Sequence, residues 1–252
     1  MASLFGASLL LLERRPVLAG CFIGLLSFKP QFGLLLPVAL IASSQWRAFM
    51  SAAGTVALLL ALSLAVFGTE LAVQFPKGLA DYNQLFLVAN PTQAWIPSLG
   101  LQTMYGIVRA LHGGLWLAWL VQGGAAITVA VVIWLVWRSS VRFALKAAAL
   151  PAAAFIVTPY AYAYDMAAIT IALAFLLRDQ IDFGSSRGEQ AIMTALLAVG
   201  IVILVTFGVV PLGPIVAIAL LWVVLCRDLS WWVGFPLRPL GVLTKVERLQ
   251  FF

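Results

Sequence analysis

Lys29 is the lone charge in residues 16–43, and a proline follows it. An ammonium set into apolar sequence costs about 2.5–3.5 kcal/mol near a bilayer centre on insertion scales. Pro30 has no N–H to donate, so carbonyls of the preceding turn are left without their helical partner. Broken backbone at that depth is tolerated only where it is buried in protein or lines a cavity. A basic side chain at such a break is suited to holding an anion; the competing reading is a lysine whose stem snorkels to an interface. Asp165 closes the segment TPYAYAYD, behind Tyr160, Tyr162 and Tyr164. There a carboxylate can contact a polar ligand such as a sugar, with tyrosine faces for stacking. Equally, it can cap the helix that follows. Arg109, in LQTMYGIVRALHG, can grip a phosphate as a bidentate donor or rest against lipid headgroups. Glu70 and Asp81 read as solvated loop carboxylates.

Other chemistries are excluded by what the chain lacks. Its single histidine, His112, rules out an HExxH zinc site, and no GxxxxGK[ST] phosphate loop occurs. No metal and no cofactor is expected. Asn90-Pro91-Thr92 fails as a glycosylation acceptor because of its proline. Cys21 and Cys226 lie in apolar runs, where a thiol behaves as a small hydrophobe. Gly20 and Gly24 form a GxxxG pair, the signature of close helix packing in lipid.

The elements that must position these residues follow from composition. Of 252 residues, 63% are hydrophobic and 10% charged, with a mean hydropathy of +1.07. A soluble domain has about 25% charged residues, so most of this surface must face lipid. A soluble enzyme, a nucleic-acid binder and a disordered chain are all excluded. The net charge of +6 then belongs to basic loops at a membrane face rather than to a nucleic-acid partner.

Uncharged windows give the spans. Residues 48–69 make one over 22 positions, and a second is expected at 115–137. Residues 147–164 and 166–177 flank Asp165 as an up-and-down pair with its turn at one surface. Residues 190–226 are uncharged over 37 positions, ~55 Å as one helix. That is too long for one crossing, and Pro211-Leu-Gly-Pro214 supplies a hairpin turn. Lys29-Pro30 cuts residues 16–43 into two 13-residue halves, either one kinked crossing or a re-entrant hairpin. The re-entrant form places 12 of the 15 Lys and Arg on one side, against 10 for a crossing. The positive-inside rule therefore selects the hairpin.

The expected architecture is an all-α polytopic membrane helix bundle with one re-entrant, broken helix pair and an outer amphipathic helix. Residues 1–226 form the bundle and residues 227–252 a basic cytoplasmic tail, with Trp231 and Trp232 at headgroup depth. Residues 68–100 face outside, including the stretch Asn83, Gln84, Asn90, Pro91, Gln93, Trp95 and Pro97. The amphipathic helix follows, with Gln102, Tyr105, Arg109 and His112 near one side. The chain opens inside an apolar helix without a polar lead-in, so its first helix reads as incomplete and the chain as N-terminally truncated.

The order ERRPVLAG, LLSFKPQFGLLLPVALI, QWRAF, SLGLQTMYGIVRAL and TPYAYAYDM resembles the C-terminal two-thirds of glycosyltransferase family 87 over about residues 1–180. These are integral-membrane enzymes of the type-C class. The resemblance implies a hexosyltransferase, often a mannosyltransferase, in the plasma membrane. It would move a sugar from a polyprenyl-phosphate donor to a lipid or glycan acceptor on the extracytoplasmic side, with inversion. Lys29 matches the family's Lys-Pro element, Gln102, Tyr105 and Arg109 its outer helix, and Tyr164 and Asp165 its aromatic-acidic turn. These six are the candidate residues for the donor's phosphate and sugar. The class's catalytic aspartate sits in a first outer loop that would precede Met1, so no catalytic residue is assigned within this chain. A positioned base contributes typically 10²–10⁴ in rate, so this chain alone is expected to be nearly inactive. The rival readings are a small-molecule transporter, which also uses broken helices, and a non-catalytic membrane subunit.

Overall fold

The computed structural model describes residues 1–84, 87, 100–205 and 210–233. Among them the chain forms helices and no strand, with one isolated bridge between Leu101 and Tyr162. Helix α1 (Ala2–Leu11) turns through Glu13–Arg15 into α2 (Pro16–Leu25), whose proline opens the helix where no N–H partner is needed. A 3-10 turn (Leu26–Phe28) ends at Lys29, which leaves the helical region (φ −131°, ψ 71°) because a residue before proline is driven out of it. Two short helices, α3 (Pro30–Gly33) and α4 (Leu36–Ala42), carry the chain to Ser43–Gln45 and into α5 (Trp46–Phe67).

The path of this break is fixed by glycine. A Cβ on Gly20 would run into the Ala48 carbonyl and the Ser51 side chain; one on Gly24 would meet Thr55 and the Ala52 carbonyl. Ser51 Oγ also donates to the Val17 carbonyl at 2.6 Å. Residue numbers rise together along this contact, so α2 and α5 run in the same direction and start at the same end. The intervening chain therefore goes out and comes back. Residues 16–43 are a hairpin folded at Lys29-Pro30, with Arg15 and Arg47 at one end of the molecule.

Helix α5 is followed by α6 (Glu70–Asn83), where a loop is expected from the sequence. Pro76 lies inside this helix, and Glu70, Lys77 and Asp81, expected as loop residues, are exposed on it. Next come α7 (Met104–Ala110) and α8 (Leu115–Arg138), the latter close to the expected 115–137. The pair flanking Asp165 appears as α9 (Phe143–Val157) and α10 (Ile169–Phe183), joined by a 3-10 turn (Ala163–Ala168). The expected hairpin is α11 (Arg187–Val205) and α12 (Gly213–Val233), which continues through Arg227. The stretch from Asn90 to Pro97, the side chains of Trp231 and Trp232 and the chain beyond Val233 lie outside the described residues.

Helix α9 is the centre. Leu145 and every residue from Ala147 to Ile156 are buried, under α8, α10, α12 and α3. Six alanines in that run, interrupted only by Leu150 and Pro151, let the neighbours approach closely. Outer helices are the reverse. Only Ala48 and Ala52 of α5 are buried, while Val66 and Phe67 are more than 70% exposed. Such continuous apolar surface is far beyond what a water-soluble monomer shows, and α5 and α8 are each long and apolar enough to cross a membrane.

Candidate functional site

Helix α9 runs ~22 Å between two polar ends. At its C-terminal end the sequence brings the hairpin break against the tyrosine-rich turn. Lys29 Nζ donates to Asp165 Oδ1 at 2.5 Å, across 136 residues of sequence. The ammonium also lies 4.4 Å from the ring centroid of Tyr164, a cation–π contact. Tyr164 stacks on Tyr162, with centroids 5.8 Å apart and planes within 9°. Asp165 is buried at 3% exposure, whereas Lys29 retains 23%. Its other carboxylate oxygen, Oδ2, accepts the Tyr162 N–H at 3.2 Å. One oxygen thus caps the turn, in line with the capping reading, and the other holds the Lys29 cation, a pairing that neither sequence reading contains.

Lys29 has three ammonium protons. One goes to Asp165 and the tyrosine face takes the charge on a second side, which leaves the exposed side to accept an anion. Tyr164 is itself 63% exposed, so an aromatic face stands beside that opening. The elements explain the placement. The proline-driven break sets Lys29 at the tip of the hairpin, and edge contact between Phe32 and Phe155, 5.2 Å apart, packs that tip on α9. The 3-10 turn after α9 returns Asp165 to the same level.

Gln102, Tyr105 and Arg109 lie at this end but are occupied otherwise. Gln102 is fully buried and precedes α7 rather than lying on it. Its Oε1 accepts the Gly213 N–H at 2.9 Å and its Nε2 donates to the Val210 carbonyl at 3.2 Å. A Cβ on Gly213 would come within 2.7 Å of the Gln102 Cβ, so glycine is required where α12 begins. Tyr105 is buried, and its hydroxyl donates to the Leu87 carbonyl at 2.6 Å. Burial pushes that hydroxyl's pKa above its ordinary value, against a smaller opposing pull from Arg109. Arg109 Nη1 closes its own helix by donating to the Gly113 carbonyl at 3.0 Å, and no carboxylate neutralises it among the described residues. Lys29, Tyr164 and Asp165 are thus brought into contact, while Gln102 and Tyr105 brace the frame around them.

Sequence reasoning passes over Gln122. Its Oε1 accepts the Tyr105 N–H at 3.0 Å, and its Nε2 donates to the Ile156 and Val157 carbonyls at 2.8 and 2.9 Å. This amide ties α7, α8 and the end of α9 together. The available signal is that it is the only amide side chain in α8; an amide in an apolar span needs partners within the protein. Tyr160, singled out in the sequence for its ring, acts instead through its hydroxyl, which donates to Asn83 Oδ1 and holds α6 to the tyrosine turn. Among the described residues no group of three or more His, Cys, Asp or Glu side chains could hold a metal.

Residues 1–159 match Glycosyltransferase family 87, which takes in Lys29, Gln102, Tyr105 and Arg109 and stops short of Tyr164 and Asp165. No curated protein and no solved structure matches the chain. The family's members transfer sugars between a donor and an acceptor. With 159 of its 252 residues matched, and with apolar helices fit to cross a bilayer, this membrane protein belongs to glycosyltransferase family 87.

Proposed function

We propose that the end of the bundle built by Lys29, Tyr164 and Asp165 receives the phosphate and sugar of a polyprenyl-phosphate hexose, on the extracytoplasmic side of the plasma membrane. The carrying observation is the half-open ammonium at the hairpin break, 2.5 Å from a buried carboxylate and beside an exposed tyrosine face. When the glycosidic bond to the carrier breaks, negative charge grows on the departing phosphate. A lysine already fixed by Asp165 meets that charge without reorganising, which is where electrostatic stabilisation is most effective. Tyr164 and Tyr162 offer a stacked face for the sugar ring. Arg109 adds a further positive charge at the same end. The hexose, commonly mannose, passes to a lipid or glycan acceptor with inversion.

The reading places the basic end of the bundle, with Arg15, Arg47, Arg138, Arg142 and Arg227, in the cytoplasm, together with the C-terminal segment. It makes the chain multi-pass. It assigns no general base to these residues: Asp165 is engaged by Lys29, and Glu70 and Asp81 are solvent-exposed. The 252-residue chain is therefore expected to bind donor and turn it over slowly.

Equilibrium binding of polyprenyl-phosphate mannose to the chain in nanodiscs tests this. Lys29→Ala is expected to weaken binding about tenfold or more, the effect of losing a charge-assisted hydrogen bond worth roughly 1.5–3 kcal/mol. Lys29→Arg keeps the charge and is expected to retain part of the affinity. Unchanged donor binding in a folded Lys29→Ala chain overturns the reading.

A further inference from the structure

Helix α6 has a surface that the sugar-transfer reading does not use. At 3.6 residues per turn, Glu70, Gln74, Lys77 and Asp81 fall within an arc of about 60°. Ala72, Phe75, Pro76 and Leu79 fall on the opposite side, within about 100°. Polar and apolar rows alike are exposed: Phe75 keeps 64% of its surface and Leu79 47%. Among the described residues, therefore, no protein surface covers the apolar row.

Both ends of the helix are fixed. At its start, Gly68 adopts φ 77° and ends α5, so α6 leaves directly from a helix fit to cross the bilayer. Near its end, Asn83 falls on the apolar side by the same spacing, and its Oδ1 accepts the Tyr160 hydroxyl. That bond turns the apolar side toward the tyrosine turn and the polar row away from it. Helix α6 is thus held at its two ends, with an uncovered apolar underside between them.

We infer that α6 is an interfacial helix whose underside, centred on Phe75 and Leu79, is immersed in the lipid leaflet at the tyrosine end of the bundle. Lipid is the occupant because the underside continues the lipid-facing surface of α5, where Val66 and Phe67 are 72% and 71% exposed. Trp116, in the first turn of α8 and 79% exposed, stands at the same end, and tryptophan collects at the membrane–water boundary. The polar row carries two carboxylates against one ammonium, so attraction to anionic headgroups does not hold the helix down. Apolar burial does, and helices of this kind sink about 5–10 Å into the headgroup and acyl boundary. Through Asn83 and Tyr160 the immersed helix also fixes the tyrosine turn at that level. The inference rests on the membrane placement of α5 and is independent of the role given to Lys29.

Spin-label accessibility of the full chain in phosphatidylcholine vesicles tests it. With Cys21→Ala and Cys226→Ala as background, single labels go on Phe75→Cys, Leu79→Cys, Gln74→Cys and Lys77→Cys. All four positions are exposed, so the labels displace no packing. Molecular oxygen, which concentrates among acyl chains, should collide severalfold more with labels at 75 and 79 than with those at 74 and 77. A water-soluble nickel chelate should show the reverse order. Adding phosphatidylglycerol should leave the depth unchanged. A chelate that reaches all four labels equally would make α6 a solvated arm and overturn the inference. Labels at 75 and 79 shielded from both reagents would mean that protein, from this chain or a second copy, covers the underside. Immersion only when phosphatidylglycerol is present would replace apolar burial by headgroup attraction, and that too overturns it.

Discussion

Two ionic clusters sit at the two ends of α9, and they are built on different plans. At the tyrosine end one lysine meets one aspartate, and the ammonium keeps 23% of its surface open. At the basic end Asp179 is fully buried and two arginines close on it. Arg227 Nε and Nη2 approach Asp179 Oδ2 at 2.8 and 2.7 Å, and Arg142 Nη2 donates to the same oxygen at 3.0 Å. Arg227 continues to Glu189 Oε1 and the Gly184 carbonyl, each at 3.0 Å, while Arg142 lies 4.2 Å over the Phe183 ring. The second cluster joins α9, α10, α11 and α12 and turns its charges toward one another. The first joins two elements and leaves one side of its cation toward solvent. The difference lies in the pairing rather than in exposure, since Arg142 keeps 26% of its surface open and Lys29 23%: a carboxylate shared by two arginines fastens helices, whereas a lysine with one carboxylate still has ammonium protons to offer a ligand.

The largest effect expected from this contrast is at Asp179. Breaking a buried ionic network by removing one partner leaves charge uncompensated and costs about 3–5 kcal/mol. Asp179→Asn should therefore lower the thermal unfolding midpoint sharply or prevent a monodisperse preparation. The same change at Asp165 frees an ammonium that already touches solvent, so its stability cost should be smaller, roughly 1.5–3 kcal/mol. Its donor binding should change more than its stability. Unfolding curves of both variants, run beside donor titration of Asp165→Asn, check the comparison. Equal destabilisation by the two changes would mean that the tyrosine end is a fastening too.

The contrast also shows what the sequence can and cannot carry. Helices α5 and α8 are legible because a bilayer demands an unbroken apolar length, and both windows supply it. The hairpin at Lys29 is legible for a different reason: charge counting on loops registers topology without any knowledge of packing. Helix α6 is missed because Glu70, Lys77 and Asp81 speak locally for a solvated loop, while the helical spacing of its polar residues shows only over its whole length. The partners of ions are the hardest to read. Lys29 and Asp165 stand out singly, each a lone charge in apolar sequence, yet nothing local pairs residues 136 positions apart. Arg142 and Arg227 are masked more deeply, because at a basic membrane face each looks like one more loop cation. Gln102 and Tyr105 are singled out by their place on an outer segment, but their hydrogen bonds turn inward, to Val210, Gly213 and Leu87.

If the tyrosine end is a site held by its surroundings, weakening those surroundings should affect binding without touching the ion pair. Gln122 is the sharpest probe, since its amide serves three backbone partners. Gln122→Leu keeps the volume and leaves the Tyr105 N–H and the α9 carbonyls unsatisfied, at about 1–3 kcal/mol. Thermal unfolding should register that loss, and donor affinity should fall by a factor smaller than in Lys29→Ala. A Gln122→Leu chain with native stability would show that α7 and α9 are held together by apolar packing alone.

The smallest effect concerns how firmly the tyrosine end is closed at alkaline pH. Burial raises the Tyr105 pKa above its ordinary value of 10.0, so the folded chain holds this proton more tightly than the unfolded chain does. The sign follows from linkage: the contribution is whole below the unfolded pKa and is lost as pH rises through the folded one. Tyr105→Phe removes the donor to Leu87 and should cost about 1 kcal/mol near neutrality. It also removes the titrating group, so the variant should lose less stability than the parent between about pH 9 and about pH 11, a range spanning ordinary tyrosine ionisation. Unfolding midpoints of the two chains at stepped pH should therefore converge as the solution becomes alkaline. Parallel curves would assign the alkaline loss to other groups and leave the Tyr105 hydroxyl with a role at neutral pH only.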